Sequence, residues 1–254
     1  IPDLSLCSSF NQAFLLCSSI NNGSHNRWNE WDTSTITDMY QMFLESNFNQ
    51  PIGNWDLTNV TSIIGMFTQS DFNQPIENWN LANVTSIASL FSGSSFNQNI
   101  NNWDVSNVSG MSNLFFKANS FNQPLNNWNV SKVKNMSKMF KDATAFNQDI
   151  SAWNLESIED CSEMFNGVTL SNANYEALLI GWNNQDLNQN IVFDGGNSNY
   201  FSNDAETARQ NMIDNDNWTI TDGGKSAPLK IDTIDVTTIK IYKSNNSTLH
   251  INGI

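Results

Sequence analysis

Apolar positions in the central part of the chain recur on one long period. Phe-Asn-Gln is followed by a Trp seven residues after the Phe at Phe48 to Trp55, Phe72 to Trp79, Phe96 to Trp103, Phe121 to Trp128 and Phe146 to Trp153. The Trp residues are spaced by 24, 24, 25 and 25 positions, a period at which a strand plus a helical turn stacks on its own copy. Within residues 52–76, Ile52, Trp55, Leu57 and Val60 follow a leucine-rich-repeat-like spacing with Trp in the second apolar slot. The alternation Asn54-Trp55-Asp56-Leu57 predicts a short strand. Thr58 or Asn59 then caps a short helix carrying Val60, Ile63 and Phe67. Phe72 returns to the core, Asn73-Gln74 turns the chain, and Pro75 fixes an extended entry into the next strand. The predicted fold is an α/β solenoid, leucine-rich-repeat-like, with one short strand and one short helix per 24–25-residue repeat and an α/β C-terminal cap.

The repeats occupy residues 31–168. Phe91 to Phe96 spans five residues and Phe115 to Phe121 six, so the longer repeats add their residue in the loop before the second Phe, where insertion costs little. Residues 1–30 read as an irregular cap or degenerate repeat, with Phe10-Asn11-Gln12 as a degenerate copy of the turn. Residues 169–224 form the C-terminal cap. In it Ser171 starts a helix carrying Tyr175, Leu178, Leu179 and Trp182, followed by a strand at Ile191–Phe193, a turn at Gly195-Gly196, a helix near Asp204–Ile213 and a strand at Trp218–Ile220. Residues 225–254 read as a linker and a partial β segment with two strands, Ile239–Tyr242 and Leu249–Ile251.

Stacking repeats lines equivalent side chains into columns. Trp31, Trp55, Trp79, Trp103, Trp128 and Trp153 share a strand face with Leu57, Leu81, Val105, Val130 and Leu155 and are core, or in part a platform for sugar stacking. Asn49, Asn73, Asn97, Asn122 and Asn147, each with the following Gln, read as an internal amide ladder. The opposite strand face carries Asp32, Asn54, Asp56, Asn78, Asn80, Asn102, Asp104, Asn127, Asn129 and Asn154. These ten are the candidate ligand-binding residues: amides and carboxylates in a grid suit saccharide hydroxyls, a polar peptide or weakly held Ca²⁺, or form a merely solvated face.

The formal net charge of −14, with no Lys or Arg from Trp28 to Phe116, argues against nucleic acid and anionic membranes. No segment reaches the ~20 apolar residues that span a bilayer. Cys7, Cys17 and Cys161 fit no zinc spacing; Cys7 and Cys17 either close one small loop or remain thiols. Lys132, Lys134, Lys138 and Lys141 form the one basic patch, a solvated face. Only His25 and His250 are present, both outside the repeats, and no nucleophile elbow, phosphate loop or zinc motif is written. A non-enzyme without cofactor or resident metal is expected.

Trp103-Asp104-Val105-Ser106-Asn107-Val108 with Met111, Phe115 and Phe121-Asn122-Gln123-Pro124 resembles the BspA-like surface-protein repeat first noted in Mycoplasma lipoproteins, over residues 28–168. Asn174–Trp182, Gly195–Tyr200 and Trp218–Gly224 resemble the cap that follows such repeats in secreted Bacteroidetes and marine bacterial proteins. Ile239–Tyr242 with Ser247–Ile251 resembles the opening of a type IX secretion sorting domain, with Lys243-Ser244-Asn245 in place of Pro-Asn-Pro. The resemblance implies a secreted or cell-surface binding or adhesion module whose partner is an extracellular glycan or protein. Two alternatives stand beside it. One is a structural or ice-binding surface, for which the column Thr61, Thr85, Ser109 is broken by Lys134 and Glu159; the other is a glycoside-active enzyme using paired carboxylates.

Overall fold

The computed structural model describes residues 2–20, 27–227, 240–243 and 249–252. Successive repeats lie against one another in register and are joined by backbone hydrogen bonds. Gly65, Phe67 and Gln69 N–H donate to Ala88, Leu90 and Ser92 C=O, and Ser89, Phe91 and Gly93 N–H donate to Ser112, Leu114 and Phe116 C=O. The intervening amides close turns inside the repeat, Met66 N–H onto Ile63 C=O and Ser70 N–H onto Phe67 C=O. The third residue of each turn has positive φ, Gly65 at 64° and Gln69 at 52°, as a type II turn requires.

These paired turns stand where the sequence predicts a helix. A helix would keep its N–H groups to itself, whereas here alternate N–H groups leave for the next repeat. The pattern misleads because turns repeating every four residues put Ile63 and Phe67 on one side just as a helix would. The predicted strand over Asn54–Leu57 is also absent: Trp55 N–H turns back to Ile52 C=O at 3.1 Å. The parallel bridges between repeats fall elsewhere, at Asp38–Ser62, Ser86–Gly110, Gly110–Asn135 and Asn135–Asp160.

Three aromatic columns fill the interior. Phe43, Phe67, Phe91, Phe115, Phe140 and Phe165 stack with neighbouring centroids 5.3–5.9 Å apart. Phe48, Phe72, Phe96, Phe121 and Phe146 stack beside them at 6.1–6.4 Å. Trp55, Trp79, Trp103, Trp128 and Trp153 are at most 4% exposed, so these five are core and not a sugar platform, while Trp31 at the head of the column is half-buried against them. Each indole N–H donates to the carbonyl that opens the preceding Trp turn: Trp79 to Ile52, Trp103 to Ile76, Trp128 to Ile100 and Trp153 to Leu125. The Asn-Gln ladder pairs from repeat to repeat as read but is not internal: Asn73 and Asn97 are half-buried and Asn122 and Asn147 are exposed. Asn97 Oδ1 accepts from Asn122 N–H at 3.0 Å and from Gln123 Nε2 at 3.1 Å, and Asn73 and Asn122 do the same for their neighbours. The extra residue of the longer repeats lies where expected, in turns that bring Phe121 N–H to Ala118 C=O and Phe146 N–H to Ala143 C=O.

The N-terminal Phe-Asn-Gln does not take the place read for it. Phe10, Gln12 and Phe14 N–H donate to Asp38, Tyr40 and Met42 C=O, and Gln12 and Leu16 have φ of 54° and 59°. Phe10-Asn11-Gln12 is therefore the start of a turn coil, equivalent to Met39-Tyr40-Gln41. Phe14 heads the Phe43 column, stacked at 5.5 Å.

Beyond the repeats come α1 (Asn172–Asn183), β1 (Val192–Asp194), β2 (Asn199–Tyr200), α2 (Asn203–Asp216), β3 (Thr219–Thr221) and β4 (Gly224–Lys225). Ser171 caps α1 by accepting Asn174 N–H, and α1 buries Tyr175, Leu178, Leu179 and Trp182. β1 extends the repeat ladder through the parallel bridge Cys161–Phe193, and β3 pairs in parallel with β1. Asp222 ties this part together, accepting Tyr175 Oη–H at 2.7 Å and pairing with Arg209 at 2.8 Å. Further on, β5 (Lys240–Lys243) and β6 (Leu249–Asn252) pair antiparallel. His25, and the remainder of the segment read as linker and partial β unit, lie outside the described residues.

Candidate functional site

Each Trp segment ends in a short turn closed by its own side chain. Asp56 Oδ1 accepts Thr58 N–H at 2.8 Å. The same bond joins Asp32 to Ser34, Asn80 to Ala82, Asp104 to Ser106, Asn129 to Ser131 and Asn154 to Glu156, at 2.9–3.2 Å. Asp and Asn favour such Asx turns because a short side-chain acceptor reaches the amide two residues on. Neighbouring turns are locked together by Asn59, Asn83 and Asn107, whose Nδ2 groups donate to Ser34, Thr58 and Ala82 C=O one repeat back.

A second file stands two residues earlier, at Asn54, Asn78, Asn102 and Asn127. All ten sequence-predicted residues are exposed, and they form one strip along the repeats. Within the described residues the side chains of Asn54, Asn78 and Asn102 make no hydrogen bond, while Asn127 Oδ1 accepts a long one from Asn126 at 3.5 Å. With Oδ1 taken by the turn, the Asx file presents Oδ2 at Asp32, Asp56 and Asp104 and Nδ2 at Asn80, Asn129 and Asn154. From the N-terminal end it offers acceptor, acceptor, donor, acceptor, donor, donor. The hydroxyl and N–H of Thr58 hold the Asp56 carboxyl below its ordinary range; Ser106 does so for Asp104 and Ser34 for Asp32. These carboxylates stay ionised into acid.

At its C-terminal end the strip runs into a cavity of about 440 Å³ between the last repeat and the end of α1, lined by Ser151, Asn154, Glu156, Gln185 and Asp186 among others. Gln185 is spent on structure, accepting Leu155 N–H and donating to Trp153 C=O, both at 2.8 Å. Asn154 is the one predicted residue here. Gln185 and Asp186 carry no periodic signal because they enter from the cap.

Among the described residues no group of three or more His, Cys, Asp or Glu is placed to hold a metal ion, and no helix is long and apolar enough to cross a membrane. Cys7 and Cys17 are unbridged; Cys161 is buried, which pushes its thiol pKa up. The basic patch is paired across repeats, Lys134 with Glu159 at 2.8 Å, and Lys138 and Lys141 both with Glu163.

Two overlapping stretches, residues 8–95 and 71–178, match the family described as Mycoplasma protein of unknown function, DUF285. The chain belongs to this family. No curated protein and no solved structure matches it significantly. The first DUF285 match opens at Ser8, beside the first bridge of the ladder, Ser9–Asp38, so the family unit includes the N-terminal coil that the sequence reading set outside the repeats. The second closes within α1, the helix that takes over the Trp and Asn columns.

Proposed function

We propose that the chain is a non-catalytic binding module of a secreted or cell-surface protein, a BspA-like solenoid that recognises an extracellular glycan or protein through its Asx strip. One observation carries the reading: ten polar side chains at equivalent repeat positions are exposed, and six of them are braced by their own backbone. Bracing lowers the entropy a side chain loses on meeting a ligand, and a mixed row of acceptors and donors suits hydroxyl- or amide-rich partners. The solenoid reading is supported by the in-register ladder, with turns in place of strand and helix.

Catalysis is not favoured, because a glycosidase acid needs a raised pKa and the shifted strip carboxyls all move down. The ice-binding alternative loses two of its three hydroxyls as free donors: Thr61 Oγ1 and Ser109 Oγ donate to Thr37 and Thr85 C=O at 3.1 and 3.2 Å. A glycan array and a panel of extracellular proteins, with hits measured by calorimetry because the Trp column is too buried to report, tests the proposal. Binding lost in Asp56→Lys and Asn80→Lys supports it. Absence of any binder, or hydrolysis of a polymer by the purified chain, overturns it.

A further inference from the structure

The groups that the Asx file presents outward form a row that is its own complement. From Asp32 to Asn154 the order is acceptor, acceptor, donor, acceptor, donor, donor; read backwards with donors and acceptors exchanged, it is the same. A second strip turned end for end, about a two-fold axis between Asn80 and Asp104, therefore sets Asp32 against Asn154, Asp56 against Asn129 and Asn80 against Asp104. Every carboxylate meets an amide N–H. In the neighbouring file Asn54 meets Asn127 and Asn78 meets Asn102, all four exposed, and a carboxamide both donates and accepts.

The row also sets the register. A slip of one coil puts Asp56 against Asp104 in one direction and Asp104 against its own copy in the other. Strips laid in the same direction set every position against its like. Carboxylate against carboxylate is repulsive, so the wrong pairings are disfavoured as well as the right one favoured. The backbone behind the strip is straight enough for two to stay in contact: the indoles of Trp79 and Trp103 lie 5° from parallel and those of Trp128 and Trp153 4°.

We propose that the partner of the strip is a second copy of this chain, bound antiparallel across a two-fold axis in an isologous contact. The inference rests on the reading of the strip as a binding surface and names its occupant. The contact is narrow and polar and therefore weak; copies arrayed on facing surfaces gain by multivalency, which makes the pairing homophilic adhesion.

Sedimentation equilibrium of the full chain up to millimolar concentration tests it, in physiological salt that screens the repulsion between two chains of net charge −14. Asp56→Asn and Asn129→Asp both keep the Asx turn, since either side chain closes it through Oδ1. Alone, the first sets donor against donor and the second carboxylate against carboxylate, each at two symmetry-related places. Expected is a concentration-dependent dimer, about tenfold weaker in either single variant and restored in the double variant to within about twofold of the parent. A parent that stays monomeric overturns the proposal, as does a dimer indifferent to the single variants or a double variant no better than either. A monomeric parent that binds a glycan or another protein, and loses it in Asp56→Lys, overturns this inference alone; one that binds nothing overturns the reading of the strip with it.

Discussion

The indole N–H of Trp182, on the first helix after the repeats, donates to the carbonyl of Ile150 at 3.4 Å. Trp153 makes the equivalent bond to Leu125 at 3.0 Å, so a helix of different backbone geometry supplies the next member of the Trp column. The amide column continues likewise: Ser171 N–H and Asn174 Nδ2 meet Asn147 Oδ1 at 2.8 and 3.0 Å, where a further Asn-Gln pair would sit. The cap docks by imitating one more repeat.

Trp182→Ala is expected to cost about 3–5 kcal/mol, the usual range for emptying a buried aromatic site. Trp182→Phe keeps a ring against Phe193, 5.2 Å away, and forfeits a long bond onto a carbonyl that Trp153 N–H already satisfies. Its cost is set at about 0.5–1.5 kcal/mol. Urea unfolding midpoints measure both, and equal losses would show that the indole bond, not the volume, holds the cap.

Much of the core was legible before the structure, because the Trp alternation assigns a face and Phe-Asn-Gln marks each return to it. The ten strip residues were legible for the same reason. Local backbone was not. Val60, Ile63 and Phe67 are spaced alike in a helix and in a pair of four-residue turns, and the choice between them rests on hydrogen bonds to another repeat. Phe10-Asn11-Gln12 was misplaced on its tripeptide alone; seven residues on stands Cys17, not Trp, the signal that it belongs to the turn coil. Gln185 reaches the strip from the cap, 30 residues beyond Leu155, and no period announces it.

Asn97 holds two donors of the next repeat on one oxygen while its own N–H bonds Asn73. Asn97→Ala removes the acceptor of the Asn122 N–H and the Gln123 amide at a partly exposed position, an expected loss of about 0.5–1.5 kcal/mol. Asn97→Asp keeps the acceptor and changes stability far less at neutral pH. Thermal unfolding separates them; an Asp variant as unstable as Ala would refute the ladder's acceptor role.

Positive φ is shared by many coils, but its cost depends on the space around it. Gly196 has φ 68° and Gly224 has φ 74°. A Cβ at Gly196 would run into the backbone carbonyls of Phe165 and Val168, whereas at Gly224 nothing lies within 4 Å. Gly224→Ala should therefore cost only the left-handed penalty, about 1–2 kcal/mol, and Gly196→Ala distinctly more, since two backbone segments must move. Comparable unfolding midpoints for the two variants would contradict this.

The strip carboxylates are expected to make part of the stability sensitive to acid. The Ser34, Thr58 and Ser106 hydroxyls and N–H groups lower the pKa of Asp32, Asp56 and Asp104 in the folded chain. A folded-state pKa below the unfolded value of about 3.9 means that the contribution is present above that value and is lost as pH falls through the folded one. Asn80 and Asn129 close the same turn without titrating. The triple variant Asp32→Asn, Asp56→Asn, Asp104→Asn should therefore fold like the parent at neutral pH and lose less stability on acidification. Melting temperatures recorded from neutral to strongly acidic pH decide it: parallel curves for parent and variant would mean that these turns contribute nothing to the acid limb.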